Sequence, residues 1–112
     1  MTALFETFTP PGEMERPEAE RRSYEIKPLA KMDFMRFMAS GKKEGDAAIE
    51  LELNTVPKGL TGWSNINDAE GNPVPFQAER EHIFDAIPVV HLRLIFQRII
   101  TISVLADDQQ KN

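Results

Sequence analysis

An α+β domain, mainly α, is what this sequence predicts: a small helical domain with a short β-hairpin and a disordered N-terminal arm. Three stretches carry that expectation. Residues 89–106 repeat apolar side chains at helical spacing. The turn cluster Asp68-Ala69-Glu70-Gly71-Asn72-Pro73 lies between Ile66 and the pair Val74/Phe76, which would close a small hairpin. Residues 9–23 hold three Pro and no aliphatic residue larger than Ala besides Met14. Such a segment lacks the apolar surface that would offset its ordering entropy. The expected organisation is a mobile Pro/Glu-rich arm over 1–23, one small domain over 24–106 and a polar tail over 107–112.

Taken in order, Phe5 and Phe8 could dock the arm locally or onto a partner. Residues 24–29 alternate apolar and polar side chains, as a short edge strand does, and Pro28 ends regular pairing. Residues 30–40 read as a helix stopped by Gly41. Its Met32, Phe34, Met35, Phe37 and Met38 leave few polar positions. The ordinary reading of these five is core; the other is an adaptable Met-rich contact face.

Residues 46–60 satisfy two templates. Ile49, Leu51 and Leu53 alternate with polar residues as in a strand, while Ile49, Leu53, Val56, Leu60 and Trp63 recur at helical spacings with Asp46 as N-cap. Pro57 disfavours an unbroken helix, so a helix ending near Thr55 is expected. Residues 77–86 then form a short helix before Pro88. In the final helix Leu92, Ile95, Phe96, Ile99 and Ile102 gather on one side. Val90, Leu94, Val104 and Leu105 fall on the rest, where they either bury against the domain or contact another chain.

Whole-chain totals narrow the function. The chain has 112 residues, net charge −5 and no Cys. The acidic balance disfavours nucleic acid, whose binding draws on phosphate neutralisation. The missing thiols exclude disulfide scaffolds, thiolate zinc sites and Cys nucleophiles. No secretory signal is expected at 1–11, and Arg93 and Arg98 argue against a membrane span over 89–106. A soluble cytoplasmic protein is expected.

Catalytic and metal patterns fail in turn. His82 and His91 do not sit at metal-pair spacing, and His82, among Glu79, Glu81 and Asp85, reads as a surface ion pair. Placing Gly71 at the sixth position of a calcium loop puts Ile66 first and Gln77 twelfth, which fails. Gly59-Leu60-Thr61-Gly62 lacks the Lys-Ser/Thr ending of a phosphate loop. No cofactor, metal or catalytic residue is expected, and an enzyme is the weakest reading.

The segment Trp63-x-x-Ile66-x-Asp68-x-x-Gly71-x-Pro73-Val74-Pro75-Phe76, followed by a short helix, Pro88 and a terminal helix, resembles the small tail assembly chaperones of long-tailed bacteriophages. The strand-then-helix of residues 24–40 resembles the front half of that family. Two features depart from it: the long Pro-rich arm and Pro57. The resemblance implies a mainly helical domain that binds and solubilises the tape-measure protein in the host cytoplasm, self-associates along that rod, and binds neither nucleic acid nor membrane. Met32, Met35, Met38, Trp63, Val90, Leu94, Val104 and Leu105 are the expected partner-binding residues. Trp63 has a second reading, as the capstone of a small core. The competing function is a virion structural component, such as a minor tail or head–tail joining protein. A small inhibitor of host enzymes ranks below it.

Overall fold

A computed structural model describes residues 5–111, with the side chains of 109–111 left aside. Its centre is a three-stranded antiparallel sheet, β1 (Glu6–Phe8), β2 (Ser23–Ile26) and β3 (Leu60–Ser64), in the order β1-β2-β3. Four helices complete it: α1 (Lys31–Ala39), α2 (Gly45–Gly59), α3 (Arg80–Ala86) and α4 (Val89–Lys111). The chain is therefore α+β and mainly α.

Alternation along β2 turns Tyr24 and Ile26 into the core, where both are fully buried, and leaves Glu25 outside. Glu25 and Ile26 face Gly62 and Leu60, so Thr61 bulges out and its hydroxyl donates to the Glu25 carbonyl at 3.1 Å. The edge strand expected over 24–29 is thus the middle strand. Local alternation cannot tell edge from centre, because the flanking strands come from the N-terminal segment and from the end of α2.

Beneath the sheet, α4 supplies Ile95, Ile99 and Ile102, α2 supplies Val56, and α3 supplies Ile83. Gly59 ends α2 where a Cβ would lie 2.7 Å from the Ile99 side chain, so only glycine admits this approach to α4. The helix expected to stop near Thr55 therefore runs four residues further, through Pro57. Proline in the last turn forfeits one intrahelical hydrogen bond. Burial of Val56 and the seat of Gly59 on Ile99 offset that loss. Asp46 lies in the first turn, and Glu44 occupies the N-cap without a side-chain bond.

Ser103 ties the β2–α1 connection to α4. Its hydroxyl accepts from the buried Leu29 N–H at 2.9 Å and donates to the Ile99 carbonyl at 2.7 Å. Ser103→Ala strands that N–H and is expected to cost about 1–3 kcal/mol. Urea unfolding checks this; a midpoint within error of the parent contradicts it.

Other boundaries differ from expectation. The third helix starts at Arg80 rather than 77, and helix α4 carries on through the expected polar tail to Lys111. The hairpin reduces to one bridge, Asn67 with Pro73, and the Val74 N–H donates to the Ile66 carbonyl at 2.8 Å. Pro73 and Pro75 have no N–H to extend a ladder. The turn itself is tightly built: Asp68 Oδ1 accepts from the Glu70 and Asn72 amides, and Gly71 takes a φ of 86°.

The arm expected over 1–23 is placed on the domain for residues 5–23; residues 1–4 lie outside the described residues. β1 pairs with β2, and two 3-10 turns follow at Pro11–Glu15 and Glu18–Glu20. The physical reason is polar as well as apolar: Pro10 is fully buried and Phe8 packs against the core, while charged groups tie the rest. Glu13, 3% exposed, accepts from the Arg22 backbone N–H at 2.8 Å and from its guanidinium at 2.8 and 3.1 Å. Glu6 holds Arg98 of α4 through two 2.6 Å bonds. Asn65, the sole non-glycine residue with positive φ among the described residues, donates to the Ala19 and Arg21 carbonyls.

Candidate interaction surface

Helix α1 divides its five large side chains between two sides. Phe34 and Phe37 pack against the core, with Phe37 edge-on to Phe96 at 5.9 Å. Met32, Met35 and Met38, three residues apart, point outward at 57, 53 and 62% exposure. The core reading thus holds for the two Phe and fails for the three Met. No helix buries its whole circumference against a single neighbouring layer, and α1 packs on one side only.

Helix α4 also has an outward row. Val90, Leu94, Gln97, Thr101 and Val104 recur at alternating spacings of four and three, which places them on one side of the helix. Val90 and Val104 are exposed, as is Leu105 beside them, and Val89 is 71% exposed. Leu94 is half-buried, because the N-terminal segment reaches it: Phe8 and Pro11 line a shallow depression with Leu94, Arg98 and Thr101. By length and composition alone α4 could cross a bilayer, yet Ile95, Ile99 and Ile102 on its inner side are core.

Trp63 is set apart from these rows. Its indole N–H donates to the Val74 carbonyl at 2.8 Å, its ring meets Phe76 edge-on at 5.0 Å, and His82 stacks on it at 5.7 Å. The Trp thereby clamps the turn of residues 66–76 onto α3, which is the capstone arrangement. His82 is not held by its acidic neighbours. Its Nε2–H donates to the Pro75 carbonyl at 2.7 Å.

One cluster has the residue types of acid–base chemistry. Tyr24 Oη lies 2.6 Å from His91 Nδ1, and His91 Nε2 lies 3.7 Å from Glu13 Oε2, itself bonded to Arg22. Hydrogen bonds from Arg22 hold the Glu13 carboxyl down at about 2, against the raising effect of its burial. Burial pushes the Tyr24 phenol up and, with Arg22 adding to it, the His91 imidazole down. The phenol accordingly donates to a neutral imidazole. All three side chains are buried, and among the described residues no buried side-chain polar atom lacks a partner. The cluster fastens the N-terminal segment to β2 and α4. Among the described residues no group of three His, Asp or Glu could hold a metal ion.

Sequence reasoning passed over a cleft between α2, α3 and α4. Ile49, Leu53 and Val56 of α2 face Phe84 of α3 and Val89 and Leu92 of α4, with Glu52 and Arg93 also on the walls. The stripe Ile49-Leu53-Val56 was the available signal. It marks an inward side but not that the N-terminal half of α2 stands away from α4.

Comparison with known proteins gives no match: no family model, no curated protein and no solved structure is similar to this chain.

Proposed function

We propose that this chain is a phage tail assembly chaperone, which binds the tape-measure protein and keeps it soluble in the host cytoplasm during tail morphogenesis. The observation that carries the reading is the outward Met row of α1, with Met32, Met35 and Met38 all more than half exposed. Unbranched thioether side chains adapt to many apolar partners at low cost. Such a row is a liability on a surface with no partner and an asset on one that must follow a long, variable helical rod. The resemblance carried by Trp63, Ile66, Asp68, Gly71, Pro73, Val74, Pro75 and Phe76 supplies the family.

Additional support comes from the outer row of α4. The four–three spacing of Val90, Leu94, Gln97, Thr101 and Val104 suits a second helix lying alongside, from another copy or from the rod. Net charge −5 keeps many copies soluble on one partner. Trp63 acts here through the fold, by fixing the turn, rather than by touching the partner.

The triple change Met32→Ser, Met35→Ser, Met38→Ser tests this reading. All three side chains are exposed, so the helical circular-dichroism signal and urea midpoint should stay near the parent values. Recovery of the tape-measure protein on the tagged chain should fall at least tenfold. Undiminished recovery removes the Met row from the interface.

A further inference from the structure

The cleft between α2, α3 and α4 encloses about 310 Å³. Val56 is its fully buried floor, and Ile49 and Val89 stand on its rim at 47 and 71% exposure. Among the described residues, Glu52 and Arg93 are the only polar side chains that line it. A small-ligand site brings several polar groups to converge on its guest, and this cleft does not. Its lining suits an apolar helical ridge instead.

The chain carries one such ridge itself. Met32, Met35 and Met38 run roughly 9 Å along α1, and the wall from Ile49 to Val56 runs roughly 10 Å along α2, at a helical rise of about 1.5 Å per residue. The two features lie on opposite sides of α2. Leu51, Thr55 and Lys58 border a depression with Asp33, Arg36 and Phe37 of α1. Ile49, Leu53 and Val56, about half a turn away around α2, face the cleft. A chain therefore cannot seat its ridge in its own cleft.

Charge divides the same way. Residues 31–43 hold four bases, Lys31, Arg36, Lys42 and Lys43, against the single acid Asp33, a basic island in a chain of net charge −5. Residues 44–52 hold four acids and no base, and α3 adds Glu81 and Asp85 against Arg80. Arg80 is drawn to Glu50 at 3.2 Å, while Glu52 on the cleft wall has no ion-pair partner among the described residues. Lys31 and Arg36, beside the Met row, are both exposed. A basic apolar ridge and an acidic-rimmed apolar cleft of matching length are complementary surfaces of one molecule.

We propose that the Met ridge of one copy docks into the α2/α3/α4 cleft of the next, with Lys31 and Arg36 meeting the acidic margin around Glu52. Each copy offers one ridge and one cleft, so the contact is head-to-tail and repeats into a row or a ring. It covers the Met row that the chaperone reading gives to the partner, so neighbour and partner compete for that row. The association itself needs no partner, and it stands or falls separately from that reading.

Sedimentation velocity of the purified full chain tests the contact, and the average mass should rise with concentration. Met35→Glu and Ile49→Glu, both at exposed positions, block the ridge and the cleft in turn. Each variant alone should stay monomeric with the parent's helical circular-dichroism signal. Mixed, the two should form a one-to-one dimer through the one intact ridge and the one intact cleft. Glu52→Lys should weaken assembly about tenfold, and Arg36→Glu in the same chain should restore it. A parent chain that is monomeric at every concentration, or a blocked variant that still assembles like the parent, overturns the assignment. Variants that are monomeric alone and remain so when mixed overturn the head-to-tail pairing.

Discussion

Glu13→Ala lowers the stability of the chain by about 3 kcal/mol, the cost of leaving a paired charge without its partner in a largely buried setting. The carboxylate is 3% exposed and accepts three bonds from Arg22, one of them from the backbone. Alanine leaves the Arg22 amide and guanidinium without an acceptor and frees the turns of residues 11–20 from β2 and α4. Amide exchange should therefore accelerate in β1 and in both 3-10 turns before the rest of the molecule. Uniform acceleration, or a loss under 1 kcal/mol in urea unfolding, contradicts the role.

The same cluster sets the acid response. The Glu13 carboxyl is held at about 2, first by the Arg22 side-chain bond, against an ordinary value of 4.5. A depressed carboxyl contributes fully above its unfolded value, and the contribution is lost as pH falls from about 4.5 toward 2. The shift corresponds to stabilisation on the order of 3 kcal/mol. His91 is also depressed, mainly by burial, from 6.5. Its folded form resists protonation, so stability begins to fall once pH drops below about 6.5. Both groups act in one direction. The melting temperature should fall in two stages between pH 7 and 2, and Glu13→Ala should flatten the lower stage. A parent melting temperature constant from pH 7 to 3 contradicts this.

Gly59→Ala has the second large effect. An added Cβ would stand 2.7 Å from both Ile99 Cδ1 and Cγ2, and Ile99 is fully buried. Overpacking of this kind costs about 1–3 kcal/mol, and a 1 kcal/mol loss lowers the melting temperature of a domain this size by roughly 4–8 °C. Gly59→Val should cost more. Because the two side chains would contend for one space, Gly59→Ala with Ile99→Val should lose less than the sum of the single changes. Strict additivity would mean that α2 simply shifts away from α4.

What was legible in the sequence is what local periodicity encodes. The inner face of α4, the short α3, the extent of α1 and the turn at Asp68–Gly71 all follow from residues within a few positions of one another. What was not legible depends on distant partners. The arm was expected to be mobile because 9–23 lacks aliphatics, but Glu13 finds Arg22 and His91, His91 in turn holds Tyr24, and Glu6 finds Arg98 of α4 across ninety-two positions. Burial of a satisfied polar cluster, with Pro10 and Phe8 against the core, does what the missing aliphatics would have done. Strand β3 was hidden inside a helical stripe that ends at Trp63, and the exit of α2 through Pro57 depended on Gly59 meeting Ile99. Among the expected partner-binding residues, Met32, Met35, Met38, Val90, Val104 and Leu105 are exposed. Leu94 is half-covered, and Trp63 is engaged by the turn it closes.

Binding of a long helical protein that is insoluble alone is the property on which the functional reading rests. The direct measurement is to produce the tape-measure protein with and without this chain and follow its partition between supernatant and pellet, with the chain tagged for recovery and purified particles probed for it. The expected result is a tape-measure protein that is soluble only when co-produced, copurifies with the chain, and sits in particles from which the chain is absent. A tape-measure protein that pellets equally in both cases, or a chain that is retained in purified particles, contradicts the chaperone reading, and retention would make the protein a component of the virion.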